Sequence, residues 1–235
     1  MNAQNVIAEL EALANPEKAE HSKRFFKSGP GEYAEGDTFF GVTVPEQRKI
    51  AKRYRKLELP EVEQLVQYPI HEVRLTGLML MVYAFEKGDD EYKEAIFNLY
   101  MSNLAYVNNW DLVDASCRFI IGQFLENKNR ELLYDLAKSD DLWKNRIAMI
   151  SCYHFIHYLH EFDDALNIAE LLLHHSHDLI HKAVGWMLRE VGKIDRSAEE
   201  AFLQTRYKTM PRTMLRYAIE HFEEPVRKAY LAGKI

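Results

Sequence analysis

Cysteine is nearly missing from this chain: Cys117 and Cys152 are the only two among 235 residues. Each lies in an apolar stretch and neither forms a C-x-x-C spacing, which argues against a disulfide framework or a cysteine-based zinc site and predicts reduced, buried thiols. No apolar run approaches the roughly 20 residues that a membrane-spanning helix requires. Met1 to Ala14 alternates polar and apolar residues instead of presenting a signal-peptide core, so the expectation is a cytoplasmic protein with no membrane association. There is no glycine-rich phosphate loop, no Ser-x-x-Lys pair and no H-E-x-x-H helix, which removes support for a nucleotide-hydrolysing or protease reading. Glycine, at ten residues, and proline, at seven, are also scarce and sit at punctuation points between periodic segments.

What is present is an ordinary globular composition, 47% hydrophobic and 28% charged, on a chain of a length that suits a single domain over residues 1–235. The formal net charge of −6 argues mildly against a nucleic-acid partner, because neutralisation of phosphates by Lys and Arg supplies most non-specific affinity. Its distribution argues the other way. Arg48, Lys49, Lys52, Arg53, Arg55 and Lys56 fall between Pro45 and Leu57 against a single acid, Glu46, whereas Glu86 to Glu94 is mostly acidic. Segregated charge is what a one-faced binder needs.

Between the glycines and prolines, apolar residues recur at three- and four-residue spacing, the helical period. This predicts helices over 2–14, 16–26, 45–57, 60–67, 71–86, 89–101, 110–125, 129–138, 142–159, 162–174, 178–193, 197–207, 210–222 and 225–232, and no strand. Pro45, Pro60 and Pro225 suit first-turn positions, and Asp141 and Ser197 suit N-caps. Arg74 opens Arg-Leu-Thr-Gly-Leu-Met-Leu, Arg146 opens Arg-Ile-Ala-Met-Ile-Ser-Cys, and Lys182 opens Lys-Ala-Val-Gly-Trp-Met-Leu. These openings fit a period of 36 residues, and one period after Arg74 stands Trp110 at the start of another long helix. A two-helix unit of that length predicts an all-α fold, an α-solenoid of HEAT-like helix pairs, the tetratricopeptide consensus being absent. The helices starting near 74, 110, 146 and 182 are expected to form its inner layer, facing a concave surface.

Trp110 and Asp114 are four residues apart in Asn-Asn-Trp-Asp-Leu-Val-Asp, which places them side by side on one helical face. A carboxylate beside an aromatic wall suits a reaction that develops positive charge, since the anion stabilises the cation while the ring excludes water. Asp111 is nearer the helix start, where it can serve the cap or the dipole. One period on stands Arg146, with Trp143 a turn before it; one further on, Lys182, Trp186 and Arg189 share a helix. Taken singly, a helical tryptophan is more often core packing and an aspartate near a helix start more often a cap. Their coincidence in repeat register favours function. The run His174, His175, His177 and Asp178 sits between two helices, where capping is favoured over metal binding because no second ligand cluster accompanies it. Cys152 and His154 are two residues apart and face apart, which disfavours a nucleophile–base pair. The segment Lys27 to Thr43 is the only long irregular stretch, and is either a functional loop or a solvated connector.

These residues resemble the AlkD-like DNA alkylation repair glycosylases over essentially the whole chain. The resemblance rests on Asn-Pro-Glu-Lys-Ala-Glu from Asn15, Gly-Val-Thr-Val-Pro-Glu-Gln-Arg from Gly41, Trp-Asp-Leu-Val-Asp from Trp110, Asp-Leu-Trp-Lys-Asn-Arg from Asp141 and Lys-Ala-Val-Gly-Trp-Met-Leu-Arg-Glu from Lys182. It implies a HEAT-like solenoid that removes cationic alkylated purines, chiefly 3-methyladenine and 7-methylguanine, from double-stranded DNA by hydrolysing the N-glycosidic bond. It places the catalytic aspartate at Asp114, the sugar-facing tryptophans at Trp110 and Trp186, and a phosphate-binding arginine at Arg146. The family acts without drawing the base into a pocket, unlike the flipping mode general to glycosylases. That mode is chemically consistent: an alkylated purine leaves as a neutral base without protonation, and the remaining task is to stabilise an oxocarbenium-like sugar.

The expected arrangement is a right-handed stack in which Trp110, Asp114, Arg146 and Trp186 share one concave groove. Arg48, Lys49, Lys52, Arg53, Arg146, Lys182, Arg189, Arg212 and Arg216 are expected to supply DNA contacts, from a monomer that uses no cofactor or metal. Two other classes compete: a non-catalytic HEAT-like protein that binds DNA structure, and a scaffold for another protein.

Overall fold

A computed structural model describes residues 1–235 and shows an all-α chain of fourteen helices with no strand. The one extended contact is an isolated parallel bridge between Thr38 and Ile70. Two compact units divide the chain, Met1–Ile120 and Ile121–Ile235. The first holds α1 (Ala3–Glu11), α2 (Pro16–Phe25), α3 (Val44–Arg53), α4 (Leu59–Val66), α5 (His71–Lys87), α6 (Asp90–Ser102) and α7 (Trp110–Cys117). The second holds α8 (Glu131–Ala137), α9 (Leu142–Ser151), α10 (Asp163–Leu171), α11 (Asp178–Ile194), α12 (Arg196–Arg206), α13 (Arg212–Ala218) and α14 (Glu224–Leu231). No helix is long and apolar enough to cross a membrane.

Helix starts follow local chemistry. Pro45, Pro60 and Pro225 occupy first-turn positions, where the missing N–H costs nothing. Asp141 caps α9 by accepting from the backbone N–H groups of Trp143 and Lys144. The expected cap at Ser197 is corrected. Asp195 is the N-cap of α12, its Oδ1 accepting from the N–H groups of Ser197 and Ala198, and Ser197 lies inside the first turn with its hydroxyl donating to the same carboxylate. An ionised acceptor outcompetes a hydroxyl at a helix N-terminus.

Two helices expected to be long stay helical over nearly their whole expected length but carry π-turns. The 110–125 segment leaves α-geometry after Cys117 for a π-turn at Arg118–Gly122, and the 142–159 segment does so after Ser151, with a second π-turn at Phe155–Leu159. Gly122 and Ser151 touch there, since a Cβ on Gly122 would come within 2.6 Å of the Ser151 carbonyl oxygen. Widened turns of this kind are local accommodations inside an otherwise α-helical run.

In each unit one long helix runs through the core. Every residue of α5 from His71 to Val82 is buried, between α4 on one side and α3 and α7 on the other. In the second unit α11 has the same place, packed on α9, α12 and α13. Two of the four segments in the 36-residue register share a physical feature. Gly77 and Gly185 are the fourth residues of the Arg74 and Lys182 segments, and both are points of close helix approach. A Cβ at Gly77 would meet Val66 Cγ2 at 2.9 Å and one at Gly185 would meet the Met214 carbonyl oxygen at 2.4 Å. Cys117 and Cys152 form no disulfide and are buried, packing as small apolar groups.

Candidate functional site

In the first unit the site is built at the start of α7. Asn109 caps the helix, its Oδ1 accepting from the Trp110 N–H at 2.8 Å. The Trp110 ring is partly exposed and backed by aromatics from the end of α2: Phe26 stacks on it at 5.4 Å and Phe25 meets it edge-on at 5.7 Å. Phe26 in turn lies against Phe39 and the His71 imidazole, at 5.4 and 4.7 Å. Asp114, one turn after Trp110, is partly exposed. The phenol of the buried Tyr100 is pushed well above its ordinary range, chiefly by burial, with Cys117 and Asp114 adding to the rise and the hydrogen bond to Ser116 Oγ at 2.8 Å opposing it.

Beneath this face lies a charge cluster that sequence reasoning missed. His71 is buried at the first turn of α5, with Nδ1 2.8 Å from Asp37 Oδ2 and Nε2 2.8 Å from Asp111 Oδ2. Two carboxylates can both accept only from an imidazolium, which donates from each ring nitrogen. Burial pushes the His71 pKa down, but the two aspartates outweigh it and raise it from 6.5 to about 9. Burial opposes ionisation of Asp37 as well, yet its bonds with His71 and Arg74 hold its pKa below the usual value. Arg74 donates to Asp37 at 2.8 Å and to the Pro69 carbonyl at 3.0 Å. Glu72 adds a third attachment by accepting from the N–H groups of Phe40, Gly41 and Val42. The irregular 27–43 segment is thereby fixed to the start of α5, and through His71 to the first turn of α7. Asp111 is therefore an ion-pair partner of His71; its other oxygen accepts from the Leu112 N–H.

In the second unit Trp186 is partly exposed and donates from Nε1 to Glu190 at 3.0 Å. Glu190 is buried and also accepts from His157 at 2.9 Å and from Lys193 at 2.8 Å. Burial raises its pKa, but the bonds from Lys193 and His157 prevail and keep it ionised. Tyr153 stacks on His157 at 4.2 Å and approaches Trp186 at 6.2 Å. Arg146 is buried at 5% exposure, with Nη1 donating to the Leu179 carbonyl at 2.6 Å. Arg189 pairs with Glu220 and approaches Glu190 at 3.5 Å, and Lys182 pairs with Asp178 at 2.7 Å.

The remaining expected contacts are on the surface. Arg48, Lys49 and Lys52 are exposed along α3, whereas neighbouring Arg53 pairs with Glu9. Arg212 and Arg216 are exposed on α13, with Arg212 donating to the Leu231 carbonyl at 2.8 Å. His177 caps α11 through Nδ1, accepting from the Leu179 N–H, and His175 accepts from the His177 N–H. A sequence signal for the missed groups existed at Glu190 alone, four residues after Trp186 and so on the same helical face. Nothing local marks Asp37 and His71, which are brought together over 34 residues.

An all-α helical-repeat architecture with a tryptophan and an aspartate on one face of α7 defines the class, and comparison with known proteins gives the family. The family model described as DNA alkylation repair enzyme matches residues 6–222. The chain belongs to that family. No curated protein matches it. A solved structure described as a predicted DNA alkylation repair enzyme from Enterococcus faecalis superposes with a TM-score of 0.69 at 18% identity, covering 90% of this chain and 97% of that one. At that identity the likeness speaks for the fold.

Proposed function

We propose that this DNA alkylation repair protein is an alkylpurine DNA glycosylase: a cytoplasmic monomer that hydrolyses the N-glycosidic bond of cationic N3- and N7-alkylated purines in duplex DNA without flipping the base. The observation that carries the reading is the pairing of Trp110 and Asp114 one turn apart on α7. The indole is backed by Phe26, and the other carboxylate of that first turn, Asp111, is held by His71. Asp114, one turn after Trp110 on the same face, is the carboxylate assigned to the sugar cation and to the attacking water. Trp110 and, in the second unit, Trp186 contact the cationic sugar through their ring faces. Arg146, Lys182, Arg189, Arg212 and Arg216, with Arg48, Lys49, Lys52 and Arg53 of α3, contact the backbone, which positions DNA without reading sequence. The leaving base is already positive, so no general acid is required.

The second reading is a non-catalytic binder of DNA structure, which draws on the same cations. Arg146 and Arg189 are both engaged within the protein, with Leu179 and with Glu220. A single experiment separates the two: purified protein is mixed with methylated duplex DNA and free 7-methylguanine is measured. Release supports the glycosylase. Saturable binding without release supports the structure binder.

A further inference from the structure

The first unit carries a cleft of which the reading above uses one lining residue, Lys52. Its volume is about 820 Å³, and it opens between the end of α3 with its following turn and the junction of α5 with α6. Trp110 is far from it. The cleft is at the Lys87 end of α5 and the His71 cluster at the other end, about 24 Å away at 1.5 Å per residue.

Four cations line it: Lys52, Arg55, Lys56 and Lys87. None forms an ion pair within the protein, although Glu58 and Glu86 line the same cleft. Arg53, one residue from Lys52, does pair, with Glu9. In a chain of net charge −6, four uncompensated cations around one hollow make a local positive field. The walls between them are largely apolar. Tyr83 and Tyr92 present rings that stack on no other ring, above the buried Leu57. Gly88 gives Tyr92 its place, since a Cβ there would stand 2.9 Å from Tyr92 Cδ1. The Tyr92 phenol is raised in pKa by burial and by Glu58, which places a carboxylate near the ring's polar end.

We propose that this cleft binds a nucleoside monophosphate, either free or as the terminal unit of a nucleic-acid strand. Lys52, Arg55 and Lys56 hold the phosphate, for which guanidinium and ammonium groups are suited. Tyr83 and Tyr92 supply a stacking surface for the base, worth roughly 1–3 kcal/mol per base where such platforms have been measured. Glu58 and Glu86 accept from the N–H groups on the base edge.

The test is calorimetric titration of the full chain with 2′-deoxyadenosine 5′-monophosphate, alongside deoxyadenosine, inorganic phosphate and a 5′-phosphorylated single-stranded tetranucleotide. The nucleotide is expected to bind at one site, with deoxyadenosine and phosphate each at least about tenfold weaker. Arg55→Ala/Lys56→Ala and Tyr92→Leu should each weaken it about tenfold or more. All three positions are exposed, so the melting temperature reports whether the fold is kept, and Lys56→Arg should retain binding. A tetranucleotide binding as tightly as the mononucleotide assigns the cleft to a strand end, and a weaker one assigns it to the free nucleotide. No saturation by any nucleotide, equal affinity for inorganic phosphate, or indifference to the cleft variants would each overturn the proposal.

Discussion

His71 Nε2 and Asp111 Oδ2 are 2.8 Å apart, in a pair buried beneath Trp110 that joins the first turn of α5 to the first turn of α7. With Asp37 on the other ring nitrogen, the imidazolium is raised from 6.5 to about 9. A raised folded-state pKa means that its contribution to stability is complete below pH 6.5 and lost as pH rises through about 9. The size is on the order of 3 kcal/mol, from about 1.4 kcal/mol per pKa unit. The melting temperature of wild type should therefore fall between pH 7 and pH 10. His71→Gln should be much less stable than wild type at pH 6.5 and close to it at pH 10. A variant with wild-type stability at pH 6.5 would remove the ion-pair cluster from the account.

Glu199 supplies an alkaline effect of separate origin. Burial in α12 against Gly192 raises its pKa from 4.5 to about 8, with Arg196 opposing and Glu200 adding to the rise. Its Oε1 has no hydrogen-bond partner. The carboxyl is neutral at pH 7 in the folded chain, and its contribution to stability, complete below pH 4.5, is lost as pH rises from there through about 8. Glu199→Gln keeps the shape and cannot ionise, so it should match wild type at pH 4 and melt higher at pH 9. Equal melting temperatures at pH 9 would mean that the carboxyl ionises at no cost.

On α3, Arg48, Lys49 and Lys52 are exposed and without ion pairs, while Arg53 is paired with Glu9. Each lost phosphate contact should lower the slope of log affinity against log salt by about 0.9 on duplex DNA. Removing Arg48, Lys49 and Lys52 in turn should show such steps, and Arg53→Ala a smaller one. Unchanged slopes for all four would move the duplex off this helix.

The fold was largely legible in the sequence because helical periodicity is a short-range signal. All fourteen expected helices are present, and the glycines at the fourth position of the Arg74 and Lys182 segments mark helix crossings. The boundaries that were misjudged depend on contacts from elsewhere in the chain. The π-turn inside the 110–125 run lies where Gly122 meets Ser151, and the α12 cap belongs to the acid two residues before Ser197. Trp110 and Asp114 are legible as a pair because four-residue spacing puts them on one face of α7. Asp37 and His71 did not, because a buried ion pair made by an irregular segment has no period to read. The 27–43 segment reads in the sequence as either a functional loop or a solvated connector; its order comes from Asp37 and from Glu72 accepting three of its backbone N–H groups.

The central claim is that the carboxylate of Asp114 stabilises a sugar cation beside Trp110. The most direct measurement is single-turnover release of 7-methylguanine from methylated duplex DNA by wild type and Asp114→Asn, with DNA affinity measured in parallel. Asparagine keeps the shape and removes the anion, so the rate should fall on the order of 10²–10³ while affinity stays within a few-fold. Trp110→Ala should cost less, since a cation–π contact is worth about 0.5–2 kcal/mol. An Asp114→Asn protein that releases 7-methylguanine as fast as wild type would contradict the claim.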